Sequence, residues 1–309
     1  MRFTGFTTRW DGAYYLVIGK LGYGVWPTTD PFPRWAFFPG LAGVVRAFDR
    51  LGLSPEIGVH VVNQLALLVA LVGVHRLARK YGSPRAATLA LWSLALFPAA
   101  FSFSMTYPSA LFLAASVWAF VFVDEDHDLA AGLLVAAATI LRPNGLVVAI
   151  ALVVGLRSVR RIVVVVAPAV LAIAVWCVYC ADRTGDALVW ITVKSRWQEI
   201  TIIDAVTGGA KWSLLPHVAL GVSGLVVVVI QRRRLPTSWL VLTALVVVLP
   251  MATGMVGMAR YAGECFPVAV AAGQFLDRWR PSYQRMVLMT GAVGLFLFAF
   301  VVGHYDLVP

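Results

Sequence analysis

Apolar runs recur along this chain from residue 57 to residue 303, most of them near the 17 to 25 residues that cross the hydrocarbon core of a bilayer. A chain built from such runs has few folds open to it. A helix satisfies its own backbone hydrogen bonds, so a succession of apolar helices is the structure that lipid permits. Of the 309 residues, 60% are hydrophobic and 13% are charged. Soluble domains carry roughly 25% charged residues, so here there is too little charge to clothe a water-facing surface. The expected fold class is an all-α polytopic membrane protein.

The runs are read as Ile57 to His75, Ala86 to Phe101, Tyr107 to Val123, Leu129 to Leu141, Leu146 to Leu156, Ile162 to Cys180, Leu214 to Ile230, Trp239 to Val256, Tyr261 to Leu276 and Met286 to Gly303. They give a bundle of about ten transmembrane segments. The net charge of +10 does not indicate nucleic acid, because the basic residues sit in short clusters between apolar runs, as in cytoplasmic loops. Strict alternation puts residues 76–85, 157–161, 232–236 and 277–285 on one side, and these loops hold 13 of the 25 basic residues. Treating Leu129 to Leu156 as one helix would move three of the basic loops across. Two short segments flanking Arg142-Pro143-Asn144-Gly145 are therefore expected, and a break at membrane depth must face protein or a wet cavity. The acidic turn Asp124 to Asp128 is expected to be solvated on the basic side.

This layout places residues 1–56 and the loop 181–213 outside the cell. The chain then divides into an extracytoplasmic loop, 1–56, and a single membrane bundle, 57–309, with the outer loop 181–213. Met1 to Arg9 is polar and lacks the apolar core of a signal peptide. With no span ahead of Met1, an upstream helix is expected to be missing from this start site. Within the first loop, Leu41, Val44, Val45, Phe48 and Leu51 share one helical face and Arg46, Asp49 and Arg50 the other. Such a helix suits the plane of the membrane interface. The three cysteines make no disulfide framework, and Cys177 and Cys180 read as small hydrophobes on one helix face.

Acidic residues are scarce, 15 in all, so candidates for chemistry are few. Asp11 lies at the start of an expected helix on the outer side. Aspartate there is a favoured helix cap. A carboxylate at the membrane surface can equally take the proton of an acceptor hydroxyl as a general base. Arg142 and Arg260 stand at the end or break of apolar segments. Each could reach the interface by snorkelling, or the two could grip a phosphate through the guanidinium fork. Glu264, four residues after Arg260, could hold that arginine by an i,i+4 ion pair. Lys194, Arg196 and Lys211 could attract an anionic head group. The sequence contains no Walker motif, no dinucleotide fingerprint and no zinc-type spacing, so neither a metal nor a bound cofactor is expected. An outward-facing site without a nucleotide fold would draw an activated donor from the membrane.

Trp10-Asp11 with Tyr14-Tyr15, Gly22-Tyr23 and Ala36-Phe37-Phe38-Pro39 resembles the first luminal loop of PIG-V-type mannosyltransferases, W-D-x-x-x-[FY]…G-Y…A-F-F-P. Phe97-Pro98 through Tyr107-Pro108-Ser109-Ala110-Leu111-Phe112 is similar to that family's F-P…Y-[ST]-E-[SA]-L-F segment, with Pro108 and Ser109 where a glutamate is often found. Arg142-Pro143-Asn144-Gly145 resembles T-R-x-N-G, with Leu141 at its first position, and Arg260-Tyr261 with Pro267 resembles a late R-Y…P.

The resemblance implies a bacterial enzyme of the GT-C superfamily, with a polyprenyl-phosphate-mannose donor and no nucleotide sugar. Asp11 would be the catalytic base. Arg142, Asn144, Arg260, Tyr261, Trp10, Tyr23 and Tyr107 would contact the donor phosphate or substrate. The partners implied are membrane lipid, the lipid-linked donor and a glycolipid, glycan or glycoprotein acceptor at the plasma membrane, with no nucleic acid. Two other readings stay open. One is a GT-C enzyme for another lipid-linked sugar, such as arabinose or glucose. The other is a transporter or flippase of lipid-linked sugars, which should show intramembrane acids or paired broken helices in two related halves.

Overall fold

The structure is a computed structural model that describes residues 3–24, 34–194 and 214–304. Among the described residues the regular secondary structure is all helical, without strands. In chain order the helices are α1 Phe3–Thr7, α2 Asp11–Leu21, α3 Pro39–Arg50, α4 Pro55–Tyr81, α5 Pro84–Ala95, α6 Ser109–Asp124, α7 Asp128–Leu141, α8 Gly145–Gly155 and α9 Val159–Thr184. Then come α10 Val189–Thr192, α11 Leu215–Ile230, α12 Thr237–Thr253, α13 Met258–Glu264, α14 Phe266–Leu276 and α15 Pro281–His304. Most of the Trp26 to Pro39 turn and of the 181–213 loop, with Arg196 and Lys211, lies outside the described residues.

Local chemistry sets the ends of these helices. Ser54 and Ser83 cap α4 and α5, their hydroxyls accepting from Ile57 N at 3.5 Å and Ala86 N at 3.0 Å. A proline follows each cap, at the position where the missing N–H costs nothing. Gly185 closes α9 in the left-handed conformation, φ 77°.

Among the described residues three helices are long and apolar enough to cross a membrane, Pro55–Tyr81, Val159–Thr184 and Pro281–Val301. The other apolar helices hold 10 to 17 residues, a reach of about 15 to 26 Å at 1.5 Å per residue, against a core of about 30 Å. The expectation of about ten transmembrane segments is therefore not confirmed among the described residues. Two of the discrepancies trace to proline. The run Ala86 to Phe101 is helical only to Ala95, because Pro98 disfavours helix at Phe97, and a 3-10 turn Ala100–Ser104 follows. The run Tyr261 to Leu276 is broken at Cys265. Pro267 has no N–H to give to Gly263, and its ring crowds that carbonyl. The run Trp239 to Val256 likewise ends at Thr253, before Gly254 at φ 139°.

The long helices form the outside of the bundle and the short ones its middle. Val170, Leu171, Val175 and Val178 of α9 and Met289, Val293 and Phe296 of α15 are exposed, whereas Phe266, Val270 and Ala271 of α14 are fully buried. An apolar exterior on this scale is the surface of a chain solvated by lipid. Helices approach closely where side chains are small. A Cβ on Gly273 of α14 would collide with the Ala86 carbonyl of α5, and one on Gly132 of α7 would lie 2.6 Å from the Val164 carbonyl of α9.

The basic loops meet at one end. Lys80 and the Tyr81 hydroxyl bind Asp124 at 2.8 and 3.1 Å, Arg161 binds Asp126 and Asp128, Arg85 reaches Gln284 at 2.9 Å, and Arg278 reaches Gln231 at 2.7 Å. The acidic turn 124–128 is thus an ion-paired clasp between basic loops rather than a merely solvated turn. Helices α7 and α8 run out from this end and back to it as an antiparallel hairpin, with the break at 142–144 at the far end. The amphipathic helix α3 turns the inner part of its apolar face to protein. Leu41 and Val45 are fully buried and Phe48 packs on Gly58 of α4, while Leu51 stays exposed.

Candidate functional site

At the end opposite the basic loops, residues from five separated stretches come together. Helix α2 opens at Asp11 after Trp10, whose backbone has φ 58° and ψ −127°. A side chain there is strained. Gly12 allows the start of α2 to press on the 105–107 segment, for a Cβ would lie 3.2 Å from Thr106 Cβ. The Thr106 N–H donates to Thr7 O at 2.7 Å, and the Asn63 side-chain amide donates to Met105 O and Tyr107 O at 2.7 and 3.0 Å. These bonds fix both the Trp10 turn and Tyr107.

Asp11 is the first residue of α2 and its carboxylate is not the helix cap. It accepts from Arg260 Nη1 at 2.7 Å. The pair is partly open, with 25% of the Asp11 side chain and 17% of the Arg260 side chain accessible. Arg142 is paired instead with Glu264, and its other terminal nitrogen donates to Ser109 Oγ at 3.2 Å. This second pair is closed off, at 9% and 2% accessible. The expected i,i+4 pair between Arg260 and Glu264 does not form, because each partner has gone to a residue far away in sequence. Ser109, where the resemblance leads one to expect a glutamate nearby, gives Arg142 a hydroxyl, and Glu264 supplies the carboxylate.

Tyr261 ties the two pairs together. The Arg142 and Arg260 guanidinium carbons lie 5.8 and 5.5 Å from its ring centroid, and Arg260 lies 5.0 Å from that of Tyr107. Such stacking holds a guanidinium plane without using its N–H groups. The Tyr107 side chain is buried, 3% exposed. Buried atoms without a partner among the described residues gather here as well: Trp10 Nε1, Arg260 Nε and Glu264 Oε1.

Of the residues singled out from sequence, Asp11, Trp10, Tyr107, Arg142, Arg260 and Tyr261 converge. Asn144 stands at the start of α8, half-buried, and caps nothing. Tyr23 lies elsewhere. Its hydroxyl donates to Phe37 O at 3.0 Å and its ring stacks on Trp35 at 4.8 Å, in an aromatic cluster with Trp176. That cluster borders an apolar groove of about 330 Å³ between α3, α7 and α9.

Glu264, Ser109 and Tyr15 also stand in this cluster; Glu264 was expected only as an ion-pair partner of Arg260, and Ser109 and Tyr15 were given no role. Tyr15 is buried within electrostatic reach of Asp11, Arg142 and Arg260. Its spacing of four from Asp11, one helical turn, was the available signal. Among the described residues no group of three or more potential metal ligands occurs.

No protein-family model matches this chain, and no curated protein matches it significantly. Two solved structures resemble it. One is the oligosaccharyltransferase of Archaeoglobus fulgidus tethered by a disulfide to an acceptor peptide with the NVT sequon, at 14% identity and a TM-score of 0.48, covering 96% of this chain and 51% of that one. The other is archaeal oligosaccharyltransferase AglB from Archaeoglobus fulgidus with an inhibitory peptide and a dolichol-phosphate, at 13% identity and a TM-score of 0.45, covering 94% of this chain and 51% of that one. The chain spans about half the length of these structures.

Proposed function

We propose that this chain is a membrane glycosyltransferase of the GT-C type that moves mannose from a polyprenyl-phosphate donor to a hydroxyl of a cell-envelope acceptor on the extracytoplasmic face. The observation that carries this reading is convergence. Four stretches that resemble PIG-V-type mannosyltransferases, around residues 10, 107, 142 and 260, supply one cluster with a part-open carboxylate beside a part-open arginine. In this reading Asp11 takes the proton of the acceptor hydroxyl as its oxygen attacks the anomeric carbon. The bond from that carbon to the phosphate oxygen breaks, and the phosphate leaves with the electron pair. Arg260 offsets the charge that develops on the phosphate. Arg142, committed to Glu264 and closed off, positions Tyr261 rather than binding the donor.

The test is mannosyl transfer from radiolabelled polyprenyl-phosphate mannose in membranes containing the wild-type chain or Asp11→Asn. Transfer by the wild type and its loss by at least about a hundredfold in the variant is the expected result. Undiminished transfer by the variant would overturn the base assignment. Movement of intact donor across the membrane, without transfer by the wild type, would favour a flippase. Transfer of a different lipid-linked sugar would replace mannose alone.

A further inference from the structure

The apolar groove between α3, α7 and α9 lies apart from the Asp11–Arg260 pair, and its walls show where it opens. Helix α9 gives it Ala172, Val175 and Tyr179, at i, i+3 and i+7 on one helical face. Val175 is 61% and Tyr179 38% exposed, on a helix long and apolar enough to cross a membrane. That face looks onto lipid. From Ala172 to Tyr179 the helix rises about 10 Å, within the roughly 15 Å of hydrocarbon in one leaflet. The groove reaches α7 at Thr139 and Ile140, just before the break at Arg142, so it belongs to the leaflet on the side of the site. Its space of about 330 Å³ is many times what one water needs.

Helix α3 forms the third wall through Pro39, Ala42, Gly43 and Arg46, at i, i+3, i+4 and i+7. A Cβ on Gly43 would meet nothing within 4 Å, so the groove is open there. Arg46 is the one charged residue among the described residues that line it. It is exposed, yet its place is fixed. Its Nε–H donates to Gly19 O at 3.1 Å, a carbonyl in the last turn of α2, where helix geometry leaves acceptors unpaired. That bond uses one N–H, and the two terminal amino groups have no partner among the described residues. The neighbouring cation, Lys20, is paired with Glu56 at 3.0 Å. The groove thus combines apolar walls open to lipid with one anchored guanidinium and no carboxylate. A molecule with an apolar chain and an anionic head complements both parts.

We propose that this groove holds one acyl chain of a resident anionic phospholipid, whose phosphate pairs with the Arg46 guanidinium. The inference goes beyond the transfer reaction and does not depend on it. The lipid is a structural partner, neither donor nor acceptor. It fills the space between α3, α7 and α9 beside the two elements that carry the charges of the site. Ile18 of α2, seven residues after Asp11, is part of the same lining, and α7 ends at Arg142.

The test is equilibrium binding of phosphatidylglycerol to the delipidated full chain in detergent, with phosphatidylcholine of the same acyl chains as the control without net charge. Phosphatidylglycerol should bind about fivefold tighter. Arg46→Gln should bring the two affinities within twofold of each other, and Arg46→Lys should keep most of the preference. Loss of the bond to Gly19 lowers the lipid-free thermal midpoint of Arg46→Gln but does not move the ratio of the two affinities. Gly43→Leu fills the open space and should weaken both lipids together, by about fivefold or more. Equal affinity of the wild type for the two lipids would overturn the inference, as would a preference that survives Arg46→Gln or binding that ignores Gly43→Leu. Displacement of phosphatidylglycerol by undecaprenyl phosphate would give the groove to the donor, and a stable dimer that excludes both lipids would give it to a second copy. Either result also overturns it. None of these readings requires mannosyl transfer, so the inference and the transfer reaction stand or fall separately.

Discussion

Glu264 is the residue whose removal should cost the chain most. The residue is 3% exposed and its carboxylate is the ion-pair partner of Arg142. Breaking a buried pair by removing one partner leaves an uncompensated charge, with a typical cost of about 3–5 kcal/mol. Glu264→Gln should therefore lower the thermal midpoint of the purified protein sharply, whereas Asp11→Asn, in a part-open pair, should leave it nearly unchanged. Equal shifts for the two variants would contradict the division into a closed pair and an open one. Arg260→Lys should retain much of the fold yet lose transfer about a hundredfold, because an ammonium cannot keep the planar contact with the Tyr107 and Tyr261 rings that fixes the charge beside Asp11. The comparison to make is kcat against donor KM. At this scale the sequence was partly legible. Asp11, Arg142 and Arg260 stood out because charge is rare in an apolar chain. Their pairing did not, because Glu264 is the near neighbour of Arg260 in sequence but folds against an arginine 122 positions away.

The hairpin of α7 and α8 shows how a helix break places a charge. Arg142 ends α7 in an extended conformation, φ −159° and ψ 151°, and Pro143 favours that geometry in the residue before it. Gly145 then starts α8 so close to the end of α7 that an added Cβ would collide with the backbone of Thr139 and Ala138. Backbone cannot move aside as a flexible side chain can. Gly145→Ala should destabilise the protein by about 1–3 kcal/mol and displace Arg142 from Glu264. Its check is a thermal midpoint lowered together with kcat, whereas Gly43→Ala, with open space around it, should alter neither. This element was read correctly from loop charges, which required two segments rather than one. The runs around Pro98 and Pro267 were read as continuous, because counting apolar residues does not register a missing N–H. Proline gave the available signal in both, and its physical weight exceeded that of the hydropathy around it.

The molecule as a whole has two unlike ends, and this arrangement was the most legible feature of the sequence. Basic loops cluster because positive charge is retained on one side of a bilayer. Alternating the runs gathered those loops at one end and left Asp11, Arg142 and Arg260 at the other, although several runs are too short to span alone. The geometry has the same division: the clasp of Lys80, Asp124 and Arg161 at one end, and the Asp11–Arg260 pair at the other. Helix α4 carries the chain from the site end at Pro55 to the basic end at Tyr81, and α9 carries it back from Val159 to Thr184. Single cysteines at exposed positions can therefore report each end: Leu53→Cys and Asp182→Cys near the site, Arg79→Cys and Arg233→Cys among the basic loops. In a background lacking the partly exposed Cys177, a membrane-impermeant maleimide should label the first two in intact cells and the second two only after permeabilisation. Mixed labelling within one end would contradict the two-ended fold. A clean reversal would preserve that fold but place Asp11 on the cytoplasmic face, where a lipid donor displayed outside the cell could not reach it.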